Sequence, residues 1–416
     1  LKRIFDPIHR FIELDDAEVN LVGLAAVQRL RRLRQLGLAY LAFPSAEHSR
    51  FTHALGALAV GERVFATLRA QSSEFFSSEA DFQKQRRLLR ASLLLHDIGH
   101  GPFSHACEAV LGRRHETRTA AILTIPEVHR VLEDMDLDSF EVLSLVAGGP
   151  TRYPVLRELV SGPNLDCDRM DYLLRDAYFT GVSGGSYDVD QLIGSFRILD
   201  VGGEPLLGVD GRGVVALESF VLARYMMFAT VYFHHTTRMF EHVLHEALCE
   251  LWPDPSKLDP IDEYLAWDDF RVYDALRTLD TESARALRDR LRPYALVAEF
   301  TAERDLTVFA AQERTLRERW GDAIWIDAQE ELLHRLPLGV PTLSTHATTP
   351  TVWVSTRRGI VDAREASDLI AKLSGKAYWR KIFADKKRVP IDEARALCGD
   401  IDARMRRDSE PLPFVR

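Results

Sequence analysis

The sequence predicts a mainly α fold: a helical core with short β-hairpins, followed by a smaller mixed α+β C-terminal region. Three observations predict it. Apolar residues recur at helical spacing from Asp16 to Leu251. β signals are confined to short stretches, one of them around a Gly202-Gly203 turn. Pro253-Asp254-Pro255 and Asp259-Pro260 mark a break after which the pattern is mixed, so the chain divides into 1–255 and 256–416.

Ile4 to Leu14 alternates, carries Asp6-Pro7 and reads as a short strand or hairpin. From Asp16 the period is helical. Leu21, Leu24, Val27, Leu30, Leu33 and Leu36 recur every three residues, Arg29, Arg31, Arg32 and Arg34 fill a solvated face, and Gly37 supplies a C-cap. Phe51–Arg69 is a second helix. Gln85–His96 is a third, apolar from Leu88 to Leu95 and so buried all round. It ends where Gly99, Gly101 and Pro102 break it. Further helices are expected at Ser104–Leu111, Glu116–Thr124, Asp168–Tyr178, Leu217–Leu251, Ala284–Leu291 and Glu365–Leu373, and strands at Phe196–Val209 and Thr351–Val354. Asp268-Asp269 and the acids from Glu133 to Asp138 read as solvated loops.

The 416 residues are 46% hydrophobic and 28% charged, enough apolar surface to exclude disorder as the main state. A net charge of −9 excludes a general nucleic-acid coater but leaves room for a local basic patch. Four scattered cysteines with no CxxC pair indicate neither a disulfide framework nor a zinc ribbon, so a reduced, cytoplasmic protein is expected. Leu1 to Asp6 lacks a signal-peptide core. The apolar run Val221–Phe233 is interrupted by Arg224 and falls short of the roughly 18 residues a membrane span needs. No membrane partner is expected.

Four of the fourteen histidines, His96, His100, His105 and His115, fall between positions 96 and 115. His96-Asp97 closes an apolar helix, where an imidazole beside a carboxylate is costly unless both are satisfied. One cation would satisfy both, and that donor pair suits Mn²⁺, Fe²⁺, Ni²⁺ or Zn²⁺. Two further ligands are then needed. His53 follows Arg50-Phe51-Thr52 at a helix start, and Asp168 lies in the polar run Asp166-Cys167-Asp168-Arg169-Met170-Asp171-Tyr172. Taken singly, His96-Asp97 also reads as a capping or surface pair, His53 as a helix-start histidine and Asp168 as an N-cap. The joint order H…HD…D is far more specific than any piece of it.

With these motifs the sequence resembles the HD-domain metal-dependent phosphohydrolases, and among them the deoxynucleoside triphosphate triphosphohydrolase branch. The matching segments are Asp6-Pro7-Ile8-His9, Gln28-Arg29-Leu30-Arg31 with Gln35-Leu36-Gly37, Phe43 to His53, His96 to His105, His115-Glu116 and Asp168-Arg169-Met170-Asp171-Tyr172. They span roughly residues 4–250, and the resemblance includes no SAM domain. It implies an HD-domain helical core, a divalent metal ion (Mn, Fe, Mg, Ni or Zn) held by His53, His96, Asp97 and Asp168, and cleavage of dNTPs to deoxynucleoside and triphosphate. It implies that His115 and Glu108 assist proton transfer and that His100 contacts the reacting phosphate. Glu108 stands where mammalian members carry Asp, one methylene shorter. Arg50, His105, Arg169 and Arg224 would face phosphates. Tyr172, Asp176 and Gln35 would surround the sugar, and Tyr232 and His234 would close the pocket. Tyr232 also reads as core, and Phe228 replaces a histidine of the mammalian pattern.

The resemblance further implies a homo-oligomer, dimer or tetramer, and the arginines of Gln28–Arg34 are poor candidates for burial inside one chain. Gly23 stands where mammalian members carry the Asp that reads an activating GTP, so a site of that kind is not implied. Lys372 to Arg388 interleaves seven basic residues with Tyr378, Trp379 and Phe383. That composition suits a single-stranded DNA or nucleotide-effector surface, or, as the favoured reading, an oligomer interface or solvated helix face. Other phosphoesters as substrates, and a non-catalytic nucleotide or DNA sensor, are the competing functions.

Overall fold

A computed structural model of the chain describes residues 1–162, 165–301, 303–332, 352–374 and 376–399. Its axis is the Arg50–Gln71 helix, packed between the Glu79–Leu95 and Cys167–Thr180 helices. Phe51, Leu55, Leu58, Val64, Phe65 and Leu68 bury its apolar side. Gly56 lets the Cys167–Thr180 helix approach closely, since a Cβ there would lie 1.9 Å from Asp171 Oδ1. That helix starts where the Asp166 carboxylate accepts from the Arg169 amide and stops at Gly181, whose φ of 75° suits a left-handed cap. Ser78 caps the Glu79–Leu95 helix, which begins six residues before the expected start.

The mainly α core, the N-terminal hairpin (Lys2–Asp6 with Arg10–Leu14) and the Phe196–Val201/Glu204–Asp210 hairpin are as expected. Helices at Pro126–Asp134 and Pro154–Ser161 were not anticipated, although each opens on a proline suited to the first helical turn. The acids from Glu133 to Asp138 divide between the end of that first helix and the cap of the unanticipated Ser139–Val146 helix, where Asp138 accepts from the Phe140 amide. The expected Leu217–Leu251 helix is two, Val214–Met227 and His235–Leu251, joined by a turn of π-helix at Phe228–Tyr232. The continuous stretch Gly211–Tyr232 has the length and composition of a membrane span. Ala216, Leu217, Phe220, Val221, Ala223, Met227 and Val231 nonetheless pack into the main core.

The arginine-rich segment is also corrected. It is not one helix with a solvated face but two short helices and a 3-10 turn, Asp16–Gly23, Ala25–Arg29 and Leu30–Arg32. Arg29 is 1% exposed. It donates to the His100 carbonyl (2.7 Å) and the Trp267 carbonyl (2.9 Å), so it is buried inside one chain and needs no second subunit to cover it.

Beyond residue 255 the chain is mixed, as expected, but it interleaves with the rest. Trp353–Thr356 pairs in parallel with Glu204–Asp210. Leu258, Val272 and Leu276 share a core cluster with Leu38, Phe103 and Phe240. The expected strand at Thr351–Val354 is Trp353–Thr356, and Thr351 lies outside the described residues. Of the basic segment Lys372–Arg388, Lys372 is exposed on the Asp368–Leu373 helix and Lys386, Lys387 and Arg388 are exposed, but Lys376–Asp385 is a strand rather than a helix face. It is the central strand between Tyr294–Phe300 and Ile324–Leu332, with Trp379, Lys381 and Phe383 buried. Asp268 and Asp269, expected in a solvated loop, are buried as well.

Candidate metal centre

The four predicted ligands arrive from three places. His53 sits one turn into the Arg50–Gln71 helix, His96-Asp97 follow the last turn of the Glu79–Leu95 helix, and Asp168 lies in the first turn of Cys167–Thr180. Two of the single-residue alternatives fall away: Asp166, not Asp168, caps its helix, and His53 is fully buried, whereas His96 is also the C-cap of the Glu79–Leu95 helix. His53 Nε2 lies 3.1 Å from His96 Nε2 and 2.9 Å from Asp168 Oδ1. His96 Nε2 is 3.6 Å from both Asp168 Oδ1 and Asp97 Oδ1. Asp97 stands a step further out, its Oδ2 4.0 Å from His53 Nε2 and taken by Arg50 Nη1 at 2.6 Å.

The donor set fits a divalent cation by its own chemistry. His96 Nδ1 faces the Leu93 carbonyl at 2.7 Å, an acceptor only, so the proton of the neutral ring is on Nδ1. His53 Nδ1 is likewise tied to Asp171 Oδ2 at 2.8 Å. Each neutral ring therefore turns an Nε2 lone pair toward the other. A shared cation removes that repulsion, and a second carboxylate or carbonyl behind each imidazole is the usual way of fixing a metal-binding tautomer. Without a cation, the surrounding carboxylates draw a proton into the same place. Burial opposes charge on His53, yet the Asp168 and Asp171 carboxylates outweigh it and lift the ring to about 10. His96 is also raised, by Asp97 and Asp168 against burial. Asp97 is buried, yet Arg50 and then His96 and His100 hold it well below the usual carboxylate range.

Beside this cluster lies a second group, His100, Glu108 and His115. The two rings stack with centroids 3.9 Å apart, and Glu108 Oε1 sits 2.8 Å from His115 Nδ1 and 3.7 Å from His100 Nδ1. Burial and the Arg50 charge push His100 down to about 3. Gly99 makes the approach possible: a Cβ there would meet the His115 carbonyl at 2.2 Å.

The family profile of the HD domain matches residues 50–159, and that of the HD associated region matches 187–377. The chain belongs to the HD-domain family. A hypothetical protein from Aquifex aeolicus of known structure is 30% identical, with a TM-score of 0.80 over 95% of this chain and 99% of that one. An uncharacterized protein, YwfO of Bacillus subtilis, is 37% identical over 246 residues, 58% of this chain and 54% of that protein. The deoxynucleoside triphosphate triphosphohydrolase SAMHD1 homolog of Dictyostelium discoideum is 27% identical over 261 residues, 60% of this chain and 49% of that one. The chain spans about half the length of the curated relatives it matches.

Support for the candidate ligands comes from residues outside the matched HD domain to which the sequence analysis gave no role. Asp171 accepts from His53 and Arg175 and lies 2.6 Å from His9 Nε2. Arg175 also reaches Asp6 Oδ2 at 2.8 Å, while Asp6 Oδ1 accepts the Ile8 and His9 amides. The Asp6-Pro7-Ile8-His9 turn is thereby anchored behind the candidate metal ligands. The spacing held the signal: Asp171 is three residues after Asp168 and Arg175 four after Asp171, one helix face.

The predicted substrate residues divide into two sets. Tyr172 and Tyr232 lie with ring centroids 6.2 Å apart, and the Tyr172 ring is 6.4 Å from His53. Asp176 accepts from Tyr232 Oη at 2.8 Å and lies 2.7 Å from His48 Nε2. Gln35 joins this side through its amide, which donates to the His48 carbonyl at 3.0 Å. Burial lifts Tyr172 to about 12, and Arg224, buried against the Phe228 ring, opposes that rise. The other set is turned onto protein groups. Arg50 holds Asp97 and the Ser104 hydroxyl. Arg169 pairs with Asp166 and the Gly162 carbonyl. His234 caps the His235–Leu251 helix and packs on Phe43 and His235. The His105 side chain lies outside the described residues.

Proposed function

We propose that the protein is a metal-dependent phosphohydrolase that cleaves deoxynucleoside triphosphates to deoxynucleoside and intact triphosphate. The observation that carries this reading is the His115–Glu108 pair, 2.8 Å apart, set beside the four-ligand cluster. When bound, the divalent ion supplies a water acidified towards about pH 7 and polarises a phosphate oxygen. The remaining work belongs to side chains. With Nδ1 held by Glu108, His115 offers Nε2 as the atom that protonates the departing 5′-oxygen. Glu108 orients that ring through Nδ1. A pure nucleotide or DNA sensor has no need of a proton donor. Tyr172 packs on the deoxyribose. Asp176, fixed by Tyr232 and His48 with Gln35 alongside, crowds the sugar edge where a ribose would carry its 2′-hydroxyl. The name of the Dictyostelium relative points to the same substrate class.

The test is product analysis for each dNTP with Mn²⁺ or Mg²⁺, by phosphorus NMR in ¹⁸O-labelled water. The expected products are deoxynucleoside and triphosphate, with the label in triphosphate. Pyrophosphate with a monophosphate, or turnover only of other phosphoesters, overturns the reading.

A further inference from the structure

The loop that carries the second histidine group is not held by the HD domain alone. Tyr264, Trp267 and Asp269 form a wall behind it, all beyond residue 255. Tyr264 Oη donates to the Gly99 carbonyl at 2.7 Å, and Arg29 bridges the His100 and Trp267 carbonyls. Asp269 is fully buried, and both its oxygens are engaged by backbone. Oδ1 accepts the Phe103 amide at 2.9 Å and Oδ2 the Arg34 amide at 2.8 Å. These two amides belong to the two loops that build the site.

Phe103 and Ser104 have φ values of 51° and 56°, a left-handed pair without a glycine. Such a kink persists only where its surroundings hold it. It aims Ser104 Oγ at Arg50, which donates to it through Nε (3.1 Å) and Nη2 (2.6 Å) while Nη1 holds Asp97. Arg34 precedes Gln35, whose amide is bonded to the His48 carbonyl, and His48 in turn meets Asp176.

We propose that Asp269 is a positioning residue that clamps these two loops together, setting Asp97 on the metal side and His48–Asp176 on the substrate side. The proposal rests on the metal-centre reading above. It assigns the HD-associated region a direct part in shaping the centre: one carboxylate from outside the HD domain fixes the register between ligand loop and sugar wall. An amide at 269 turns an NH₂ toward one of the two backbone donors, so one loop is released.

The experiment compares full-length D269N with L276A. Leu276 is buried on the same Asp269–Thr278 helix but faces the apolar core, so its truncation costs folding stability without touching the clamp. Asp269→Ser serves as a second variant, because one hydroxyl cannot span both amides. Mn²⁺ affinity is measured alone, by titration calorimetry, alongside thermal midpoints. The expected result is a loss of about 10–100-fold in Mn²⁺ affinity for D269N or D269S, with L276A near wild type at an equal or larger fall in midpoint. Mn²⁺ binding by the Asp269 variants as tight as by L276A overturns the clamp. Hydrolysis of dNTPs by the same preparations is a separate readout. An Mn²⁺ difference in a wild-type protein that hydrolyses no dNTP refutes the substrate reading and supports the clamp.

Discussion

The two histidine groups of the centre each hold two imidazoles around a carboxylate, the first with Asp97 as a further carboxylate beside it, and they sit side by side. In the first, the rings meet edge to face at 81° and their Nε2 atoms converge on each other and on Asp168. In the second, the rings lie nearly parallel, at 16°, and Glu108 stands at their Nδ1 edges. The fields are opposite. Carboxylates lift His53 to about 10 against its burial, whereas burial and a neighbouring guanidinium push His100 to about 3. Residue type therefore does not set the role. The surroundings of each ring do: Asp168 and Asp171 beside His53 favour positive charge, and burial with Arg50 near His100 opposes it.

Breaking the first group should have the largest effect. His96→Ala or Asp97→Ala is expected to abolish turnover and strip most of the metal, read by elemental analysis beside the activity assay. Full metal occupancy in the Asp97→Ala protein would contradict the ligand assignment. Breaking the second group should leave the metal in place. For His115→Ala we expect a loss of about 10²–10⁴-fold in kcat with little change in KM, the pattern of an interaction made mainly in the transition state. A His115→Ala protein that loses its metal would mean the two groups act as one. A smaller effect is expected one step behind the ligands. Asp171→Asn keeps the shape but weakens the hold on His53 and His9, and metal affinity should fall about 10–100-fold. Unchanged affinity would show that the Asp171 carboxylate does not position His53.

How much of this could be read from the chain follows the same division. The clustering of the candidate ligands was legible because each sits in a short dense motif at a helix end, and helical periodicity placed the helices that carry His53, His96 and Asp168. The supports were less so. His9 with Asp171 and Phe103 with Asp269 join positions more than 160 residues apart, and neither periodicity nor composition records such a pairing. Arg29 and Lys381 misled for a physical reason. A charged side chain normally marks a solvated face, yet both are buried here, one donating to two carbonyls and the other paired with Glu299 at 2.9 Å. With Lys381 at an inward position, the alternation of the Lys376–Asp385 strand was hidden.

The finest test applies one chemical change to both groups. Asp168→Asn and Glu108→Gln each replace a carboxylate with an isosteric amide. At Asp168 the lost charge belongs to a ligand, so activity and metal should go together. At Glu108 the carbonyl of the amide can still accept from His115 Nδ1, so ring orientation and tautomer survive. What is lost is the carboxylate's charge in the hydrogen bond to that ring, of the order of one charge-assisted hydrogen bond, about 1.5–3 kcal/mol. Glu108→Gln should therefore lower kcat by about 10–100-fold, with metal content and KM close to wild type. Glu108→Asp keeps the charge at a shorter reach and should fall between the amide and the wild type. If Glu108→Gln removed metal as Asp168→Asn does, Glu108 would be acting as a ligand, and the division between cation-holding and proton-handling groups would be lost. If it changed nothing, the 2.8 Å contact would be packing alone, and His115 would have to deliver its proton unaided.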